Sequence, residues 1–220
     1  MTVTKIDGPR RGAASGSADT LIVFVHGYGA NGQDLFSLSE PLASIFPNAA
    51  FAAPDAPQPC VVNPMGYQWF SIPWIDGSTE AEMREGFNAA RLILNRFLDD
   101  EIAQLGVAPE RLALFGFSQG AMMCLQLGPV RDPAPTGIIA SSGRLADADL
   151  LRRERRTDPP IQLIHGDQDD VVPYTSMADA KSILDEIGLS RVETHTSSGM
   201  AHGIAQDGLI KTVQFLQSVL

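Results

Sequence analysis

Three separated stretches of the chain contain a serine, a group of aspartates and a histidine that could together perform nucleophilic catalysis. The serine is Ser118, the centre of residues 116–120 (GFSQG), which fit the pattern G-x-S-x-G. A serine hydroxyl is a weak nucleophile until a neighbouring base takes its proton, and the base must be oriented by an acid. Catalysis by Ser118 therefore requires a base and an acid that the fold can bring next to it.

The surroundings of Ser118 favour a nucleophile. An apolar run at residues 111–115 (RLALF) leads into it, and an apolar helical stretch at 119–127 follows at once. This strand, sharp turn and helix is the context of a nucleophile elbow, in which small glycines on either side relieve crowding. The helix N-terminus also directs N–H groups at developing negative charge. The alternative is a serine that only caps an ordinary helix.

His202 is the best candidate for the base among the four histidines. His26 and His165 each end a predicted buried strand just before a glycine, and His195 lies inside another predicted strand. His202 lies in a loop (SSGMAHGIAQ) between the last predicted strand and the last predicted helix. It also completes the chain order Ser…Asp…His that is typical of one class of catalytic triad.

The acid should follow the predicted strand 161–164. The segment HGDQDDVVP offers Asp167, Asp169 and Asp170 there. Neighbouring residues of a loop point in different directions, so one carboxylate can face His202 while the others face solvent. Asp169 is the preferred acid and Asp170 the alternative. Asp167 and Asp170 would equally suit the capping of a helix that begins near residue 175.

An early glycine-rich loop admits two interpretations. Residues 23–32 (VFVHGYGANG) contain G-x-G-x-x-G after an apolar strand, and Asp55 lies where a dinucleotide-binding fold places its ribose acid. That interpretation predicts an oxidoreductase, but the chain has no Tyr-x-x-x-Lys pair. The other interpretation is an oxyanion-hole loop of His-Gly type, in which the N–H groups of Tyr28 and Gln119 bind the oxyanion.

The elements that must position these residues alternate along the chain. Most of the strand candidates are continuous apolar runs, which are typical of parallel strands buried on both faces. The candidates are residues 21–25, 50–53, 111–115, 136–140, 161–164 and 191–196. Helical patterns fill the gaps at residues 34–46, 80–105, 119–127, 145–156, 175–187 and 205–219. In helix 80–105 the predicted apolar stripe consists of Phe87, Leu92, Leu94, Phe97, Leu98, Ile102 and Leu105. The alternation predicts a three-layer α/β fold in one domain, residues 1–220.

Residues 54–79 form the exception, a long segment rich in proline and aromatic residues without regular period. Long ordered loops are often functional, although some only cover a core edge. This segment and its neighbours supply the candidates for an apolar substrate groove: Leu35, Met65, Trp69, Phe70, Trp74 and Met200. The two methionines would suit ordinary core packing equally well.

Composition limits the classes of partner. The net charge of the 220-residue chain is −10, which disfavours nucleic acid or an anionic membrane surface. The basic run at residues 152–156 (RRERR) is expected to be a solvated helix face, with docking of an acidic partner as the alternative.

The N-terminus has no apolar signal core, no apolar run suits a membrane span, and Cys60 and Cys124 suit a reducing compartment. A cytoplasmic location is therefore expected, and a homodimer is compatible with the sequence.

Six motifs together resemble the phospholipase/carboxylesterase group of α/β-hydrolases, the acyl-protein thioesterase-like enzymes. They are FVHGYGANG, AAPDAP, GYQWFSI, GFSQGAMM, HGDQDDVVP and GMAHGI, in that order over residues 21–204. The resemblance implies an α/β-hydrolase fold with a mostly parallel central sheet and no large cap domain.

The resemblance also implies a serine esterase without cofactor or metal. Its triad corresponds to Ser118, Asp169 and His202, and its oxyanion donors to Tyr28 and Gln119. The implied reaction is hydrolysis of short-to-medium acyl esters, with thioesterase or lysophospholipase activity at the same site as the alternative. Relatives often begin with an extra antiparallel edge strand, for which residues 3–7 (VTKID) are the candidate. A second departure is Ala121, where many relatives have glycine.

Overall fold

A seven-stranded sheet lies at the centre of the computed structural model, which describes residues 4–220. Its order is β1-β3-β2-β6-β7-β8-β9, and only β1 is antiparallel to its neighbour. The remaining pair, β4 and β5, forms a small antiparallel hairpin. The strands are β1 Arg10–Arg11, β2 Thr20–Val25, β3 Ala49–Ala52, β4 Gln58–Pro59, β5 Tyr67–Gln68, β6 Leu112–Phe117, β7 Gly137–Ser141, β8 Ile161–Gly166 and β9 Val192–Ser197.

The continuous apolar runs explain why these segments become central strands. Every residue of β2, β3, β7 and β8 is buried, as expected for parallel strands covered on both faces. The six predicted strands are confirmed to within two residues at each end. The proposed edge strand at residues 3–7 is wrong for residues 4–7, which form no strand, and residue 3 lies outside the described residues. The antiparallel edge strand is β1, where Arg10 is fixed by both carboxylate oxygens of Glu101.

Helices cover both faces of the sheet and bury two apolar clusters. Helices α4 to α7 pack on one face, and α1, α2 and α8 pack on the other. None of the helices in residues 4–220 combines the length and apolar character that crossing a membrane requires. The helices are α1 Gly32–Phe36, α2 Ser39–Ile45, α3 Pro73–Asp76, α4 Glu80–Leu105, α5 Gln119–Leu127, α6 Ala148–Glu154, α7 Thr175–Glu186 and α8 Gln206–Val219.

Two helix predictions need correction. The predicted helix 34–46 is two helices, because Pro41 inside one continuous helix would clash with the carbonyl of Ser37. A new start at Ser39 places the proline in a first turn. Leu92 does not belong to the buried stripe of α4 and is 72% exposed. It lies five residues after Phe87, which turns it away from the face that Phe87 and Leu94 bury.

The strand register brings four strand ends to one edge of the sheet. Val25 pairs with Gly116, Gly116 pairs with Ala140, and Ser141 pairs with Ile164. The loops that follow β2, β6, β7 and β8 therefore leave the sheet side by side. In open α/β sheets, sites form at these carboxyl ends.

Candidate active site

Ser118 lies on a strained turn between β6 and α5. Its φ of 54° and ψ of −116° are unusual for a residue with a side chain. Its N–H donates to the carbonyl of Ser141, 2.9 Å away on the neighbouring strand. A Cβ atom on residue 120 would lie only 1.8 Å from the carbonyl oxygen of Val25, so the turn requires Gly120. The strain is therefore imposed by close packing of the turn against β2.

A chain of hydrogen bonds connects Ser118, His202 and Asp169. The Oγ atom of Ser118 is 3.0 Å from Nε2 of His202, and Nδ1 of His202 is 2.8 Å from Oδ2 of Asp169. This network assigns the proton to Nδ1, because a carboxylate can only accept, and leaves Nε2 to accept from the serine hydroxyl. The ring of Phe117 packs 5.0 Å from the imidazole and restricts its orientation. The structure thus brings the three predicted residues together.

Asp169 is held as a carboxylate on its own strand-end loop. Its side chain is fully buried, and its Oδ1 accepts the N–H groups of Val171 and Val172 at 3.0 and 2.9 Å. Burial raises the pKa of the carboxyl, but the hydrogen bonds from His202, Val172 and Val171 outweigh it and hold the pKa below 3.8. The carboxyl therefore remains ionised at neutral pH.

The other two aspartates of the loop have different positions. Asp170, the alternative acid, is exposed, and within residues 4–220 its side chain makes no hydrogen bond. Asp167 accepts from the N–H of Gly199 at 2.6 Å and from the hydroxyl of Ser198 at 3.2 Å. It therefore ties the loop that carries His202 to the end of β8, and does not cap the helix that follows.

His165 lies behind Asp169, a position to which the sequence assigned no role. Its Nε2 is 2.9 Å from the carbonyl of Val172 and 3.2 Å from Oδ2 of Asp169. It thus helps to shape the loop that holds the acid. The remaining strand histidine, His195, pairs with Asp207 at 2.8 Å, away from Ser118.

The N–H groups of Tyr28 and Gln119, the predicted oxyanion donors, belong to two segments that adjoin Ser118. The loop after β2 abuts the serine, since a Cβ atom on Gly27 would lie 3.2 Å from the Cβ of Ser118. Gln119 is the first residue of α5, so its N–H has no acceptor within the helix. Across the described part of the chain, neither the N–H of Tyr28 nor that of Gln119 donates to a protein acceptor. Both donors are therefore available to a ligand.

A buried network of side chains holds these two donors in place. The side chain of Gln119 accepts the N–H of Trp69 at 2.8 Å and donates to the carbonyl of Phe70 at 2.7 Å. The indole N–H of Trp69 donates to the carbonyl of His26, 3.0 Å away. The network therefore joins the helix that carries Gln119 to the loop that carries Tyr28. Sequence patterns could not reveal this, because its members lie about 40 residues or more apart.

His26 is neutral and orients the same loop. The N–H of Ala56 donates to its Nε2 at 3.0 Å, so the proton is on Nδ1, which donates to the carbonyl of Gly27 at 2.7 Å. Burial lowers the pKa of His26 below 6.5, and the hydrogen bond to Gly27 and the nearby carboxylates oppose this only partly. Protonation would remove the acceptor that Ala56 requires.

Stability should therefore decrease with acidity through His26. The pKa of His26 is lower in the folded chain than the ordinary 6.5. As the pH falls through that value, the unfolded chain therefore binds more protons than the folded chain, and unfolding becomes more favourable. The free energy of unfolding should decrease from about pH 7.5 to about pH 5.5, and the decrease should be smaller in His26→Gln, which cannot titrate. Urea unfolding at both pH values measures this. Equal decreases in the two proteins would contradict the assignment.

The predicted groove residues occupy different environments. Trp69 is 0% exposed, and Phe70 and Leu35 belong to the apolar clusters, so in this conformation these three brace the site from behind. Met65 is 83% exposed on the hairpin loop. Met200 is half-buried, and its methyl carbon lies beside Gly203, the residue after His202, since a Cβ atom on Gly203 would come within 2.5 Å of it.

Trp74 lies on the open rim of the site. It is 69% exposed, and the guanidinium of Arg144 lies over its ring, 5.8 Å from the centroid. Gly143, which precedes Arg144, lies against Ser118, since a Cβ atom on Gly143 would be 3.1 Å from the carbonyl oxygen of Ser118. Trp74 is thus better placed than Trp69 to meet a ligand.

The glycine-rich loop is not arranged for a pyrophosphate. Asp55 accepts the N–H of Gly32 at 2.8 Å, so a carboxylate already occupies the N-terminus of α1. A pyrophosphate would need that positive helix end for itself. Asp55, the candidate ribose acid of the sequence analysis, therefore stabilises the start of α1. Among the residues that the structure describes, no group of His, Cys, Asp or Glu side chains is arranged to hold a metal ion.

Comparison with known proteins finds relatives over nearly the whole chain. The sequence model of the family described as Phospholipase/Carboxylesterase matches residues 12–220. A relative named acyl-protein thioesterase 1 from Kluyveromyces lactis is 29% identical over 214 residues, which cover 92% of this chain and 93% of that protein. Esterase YpfH from Escherichia coli is 31% identical over 174 residues, covering 78% of this chain and 71% of that protein.

Solved structures show the same architecture. The crystal structure of esterase PE8 superposes with a TM-score of 0.92 at 40% identity, covering 98% of this chain and all of that one. The crystal structure of Zea mays acyl-protein thioesterase 2 has a TM-score of 0.73 at 23% identity, covering 96% and 98% of the two chains, and supports the fold alone. Together with the sheet order, these likenesses confirm the expected α/β-hydrolase fold.

Proposed function

Because the chain belongs to the phospholipase/carboxylesterase family and is a carboxylic ester hydrolase, we propose that it hydrolyses short-to-medium acyl esters through a Ser118–His202–Asp169 triad. The observation that carries the proposal is the unbroken hydrogen-bond chain from Asp169 through His202 to Ser118. It gives a nucleophile, a base and an orienting acid in the arrangement that acyl transfer requires.

In this mechanism the Oγ atom of Ser118 attacks the ester carbonyl while Nε2 of His202 takes the hydroxyl proton. The C–O bond of the leaving alcohol breaks as His202 returns that proton to the alkoxide, and an acyl-enzyme remains on Ser118. Water, activated by the same imidazole, then hydrolyses the acyl-enzyme and releases the carboxylic acid. Asp169 keeps the proton on Nδ1 and stabilises the imidazolium that forms in each step.

The N–H groups of Tyr28 and Gln119 would bind the oxyanion of each tetrahedral intermediate. In enzymes of this type, one such donor contributes about 2.7–4 kcal/mol to transition-state stabilisation. The N-terminus of α5 carries a partial positive charge, which also stabilises the negative oxyanion. Since neither N–H has a protein acceptor among residues 4–220, binding the oxyanion breaks no hydrogen bond within the described protein.

The buried network should matter for the rate of the chemical step. Trp69→Phe removes the indole donor to His26 but keeps an aromatic ring, so the Tyr28 loop loses one restraint. A fall in kcat of about 10- to 100-fold with little change in KM is expected, because small displacements of a catalytic group have costs of this size. Trp74→Phe is the matched substitution on the rim, and it should leave kcat unchanged whatever its effect on KM, because Trp74 lies outside the buried network. Steady-state kinetics of both variants on p-nitrophenyl acetate test this, and equal kcat values would contradict it.

Substrate range rests on the exposed apolar side chains at the rim. Met65, Trp74 and Val171 are each more than 60% exposed, and Met200 lies beside His202, so these side chains are available to an acyl chain. Oxygen esters are the proposed substrates. Thioesters are the second candidate, because several relatives are named acyl-protein thioesterase 1, and lysophospholipids are the third.

A panel of p-nitrophenyl esters of increasing acyl length, with an acyl thioester and a lysophospholipid beside it, tests the substrate range. The highest kcat/KM is expected for oxygen esters with a short-to-medium acyl chain. A higher kcat/KM for the thioester at equal acyl length would make the protein a thioesterase. Ser118→Ala, measured on every member of the panel, shows whether all the activities use one site.

We propose a single domain over residues 1–220, a cofactor-independent reaction and a cytoplasmic location. Small acyl substrates are the proposed partners, and nucleic acid is not, since the net charge is −10. A homodimer is a further possibility that light scattering at several protein concentrations would decide.

A further inference from the structure

A second site lies at the opposite end of α5 from Ser118. A cleft of about 800 Å³ opens between α4, the loop after α5 and the end of α6, and Leu127 belongs to its wall. Ser118 precedes the first residue of α5 and Leu127 is the last. Nine residues of helix separate them by about 13 Å. The cleft is therefore separate from the proposed catalytic site.

Five arginines line this cleft: Arg91, Arg131, Arg153, Arg155 and Arg156. The last three belong to the basic run at residues 152–156, which the catalytic site does not use. Only three acidic residues lie among them: Asp99, Asp132 and Glu154. The local charge is therefore +2, in a chain whose net charge is −10. A positive cleft in an acidic protein concentrates anions.

Two of the arginines are built into the walls. Arg91 forms an ion pair with Glu154, and Arg131 forms one with Asp99 at 2.7 Å. Their side chains are only 11% and 9% exposed. Yet the Nε–H groups of both are buried and have no acceptor among residues 4–220. Such buried donors are rare in native proteins and point to an acceptor supplied by solvent or ligand.

The other three arginines keep their charge free for a ligand. Arg153 and Arg156 are exposed, and across the described chain neither side chain forms a hydrogen bond or ion pair. Arg155 donates only to the carbonyl of Gly188, which leaves its charge unbalanced. Asp132 is the one cleft acid without an ion pair in the described structure. Among the residues that line the cleft, three arginines and one carboxylate, Asp132, thus have no ion pair in the described structure.

The backbone fixes these groups relative to each other. The N–H groups of Arg156 and Thr157 both donate to the carbonyl of Pro129, at 2.9 and 3.1 Å. The hydroxyl of Thr157 also donates to the carbonyl of Arg131, 3.0 Å away. The segment that follows α6 is therefore held against the loop that carries Arg131. On binding of a ligand, only the side chains of the exposed arginines would then have to be ordered.

We propose that this cleft binds a small organic phosphate. Guanidinium groups match phosphate oxygens in paired hydrogen bonds, and several converging arginines are typical of phosphate recognition. The volume is within the range of about 300–1,000 Å³ that metabolite sites occupy, and the cleft is concave. An extended acidic peptide would need a longer surface than this cleft. The proposal is independent of the reaction at Ser118.

Calorimetric titration of the full chain with inorganic pyrophosphate, at about 0.15 M ionic strength, tests the proposal. Saturable 1:1 binding is expected. The double variant Arg153→Gln/Arg156→Gln should raise Kd at least about tenfold, because it removes two charge-assisted donors. The matched control is Lys5→Gln/Lys211→Gln, which removes two positive charges elsewhere and should change Kd less than about twofold, as expected for screened distant charges.

Three results would overturn the proposal. One is the absence of saturable pyrophosphate binding to the wild-type chain. Another is equal weakening by the control variant, which would mean that net charge alone acts. The third is tighter binding of a deca-glutamate peptide than of pyrophosphate, lost in the arginine variant, which would make the cleft a docking surface for acidic proteins. Hydrolysis of p-nitrophenyl acetate by both double variants verifies that they are folded.

Discussion

Replacing Ser118 with alanine is expected to reduce kcat for p-nitrophenyl acetate by about 10⁶-fold, if the triad acts as one unit as it does in other serine hydrolases. The variant keeps the backbone of the turn and removes only the nucleophilic oxygen. His202 then has no hydroxyl to activate, because its Nε2 faces that oxygen at 3.0 Å. The remaining activity would come from the oxyanion donors and from substrate binding.

Ser142→Ala is the matched control for this substitution. Ser142 also has a positive φ, 50°, in the loop after β7, and its hydroxyl makes only a 3.4 Å contact with the carbonyl of Gly203. Its loss should reduce kcat by less than about tenfold, the scale of one neutral hydrogen bond. If Ser118→Ala retained a tenth of wild-type activity, Ser118 would not be the nucleophile.

Replacing Asp169 with asparagine is expected to reduce kcat by about 10⁴-fold, the size of the effect when the orienting acid of a triad is neutralised. The amide can donate to Nδ1 of His202, which moves the imidazole proton to Nε2. The base then faces Ser118 with an N–H instead of a lone pair. The loss should appear in kcat, with KM nearly unchanged.

Asp170→Asn provides the control, because it makes the same substitution one residue further along the chain. Asp170 is exposed and lies outside the hydrogen-bond chain, so its effect on kcat should be within about twofold, as for most surface substitutions. Measurement of kcat and KM for both variants at neutral pH compares the two carboxylates directly. A severe loss in Asp170→Asn with a mild loss in Asp169→Asn would transfer the role of the acid to Asp170.

Much of the fold was predictable because its signals are local. Continuous apolar runs predicted the parallel strands, and the carboxyl ends of parallel strands lie at one edge of a sheet. The order of Ser118, Asp169 and His202 at three such ends was therefore enough to predict that they meet. The break at Pro41 was also present in the sequence, since a proline there is incompatible with one continuous helix.

The substrate groove was less predictable, because burial in an irregular loop depends on contacts far along the chain. Trp69 and Trp74 are five residues apart and similar in local context, yet one is 0% and the other 69% exposed. The difference arises from the hydrogen bonds of Trp69 with Gln119 and His26, which no periodicity encodes. The same holds for His165, whose position behind Asp169 follows from the turn at residues 166–172.

Covalent labelling by a serine-directed organophosphate, followed by peptide mass mapping, identifies the nucleophile. One modification per chain is expected, on Ser118, with loss of esterase activity in proportion to labelling. Labelling should be greatly slowed in Asp169→Asn, because the nucleophile is no longer activated. Modification of a different residue, or complete labelling with activity retained, would contradict the proposed triad.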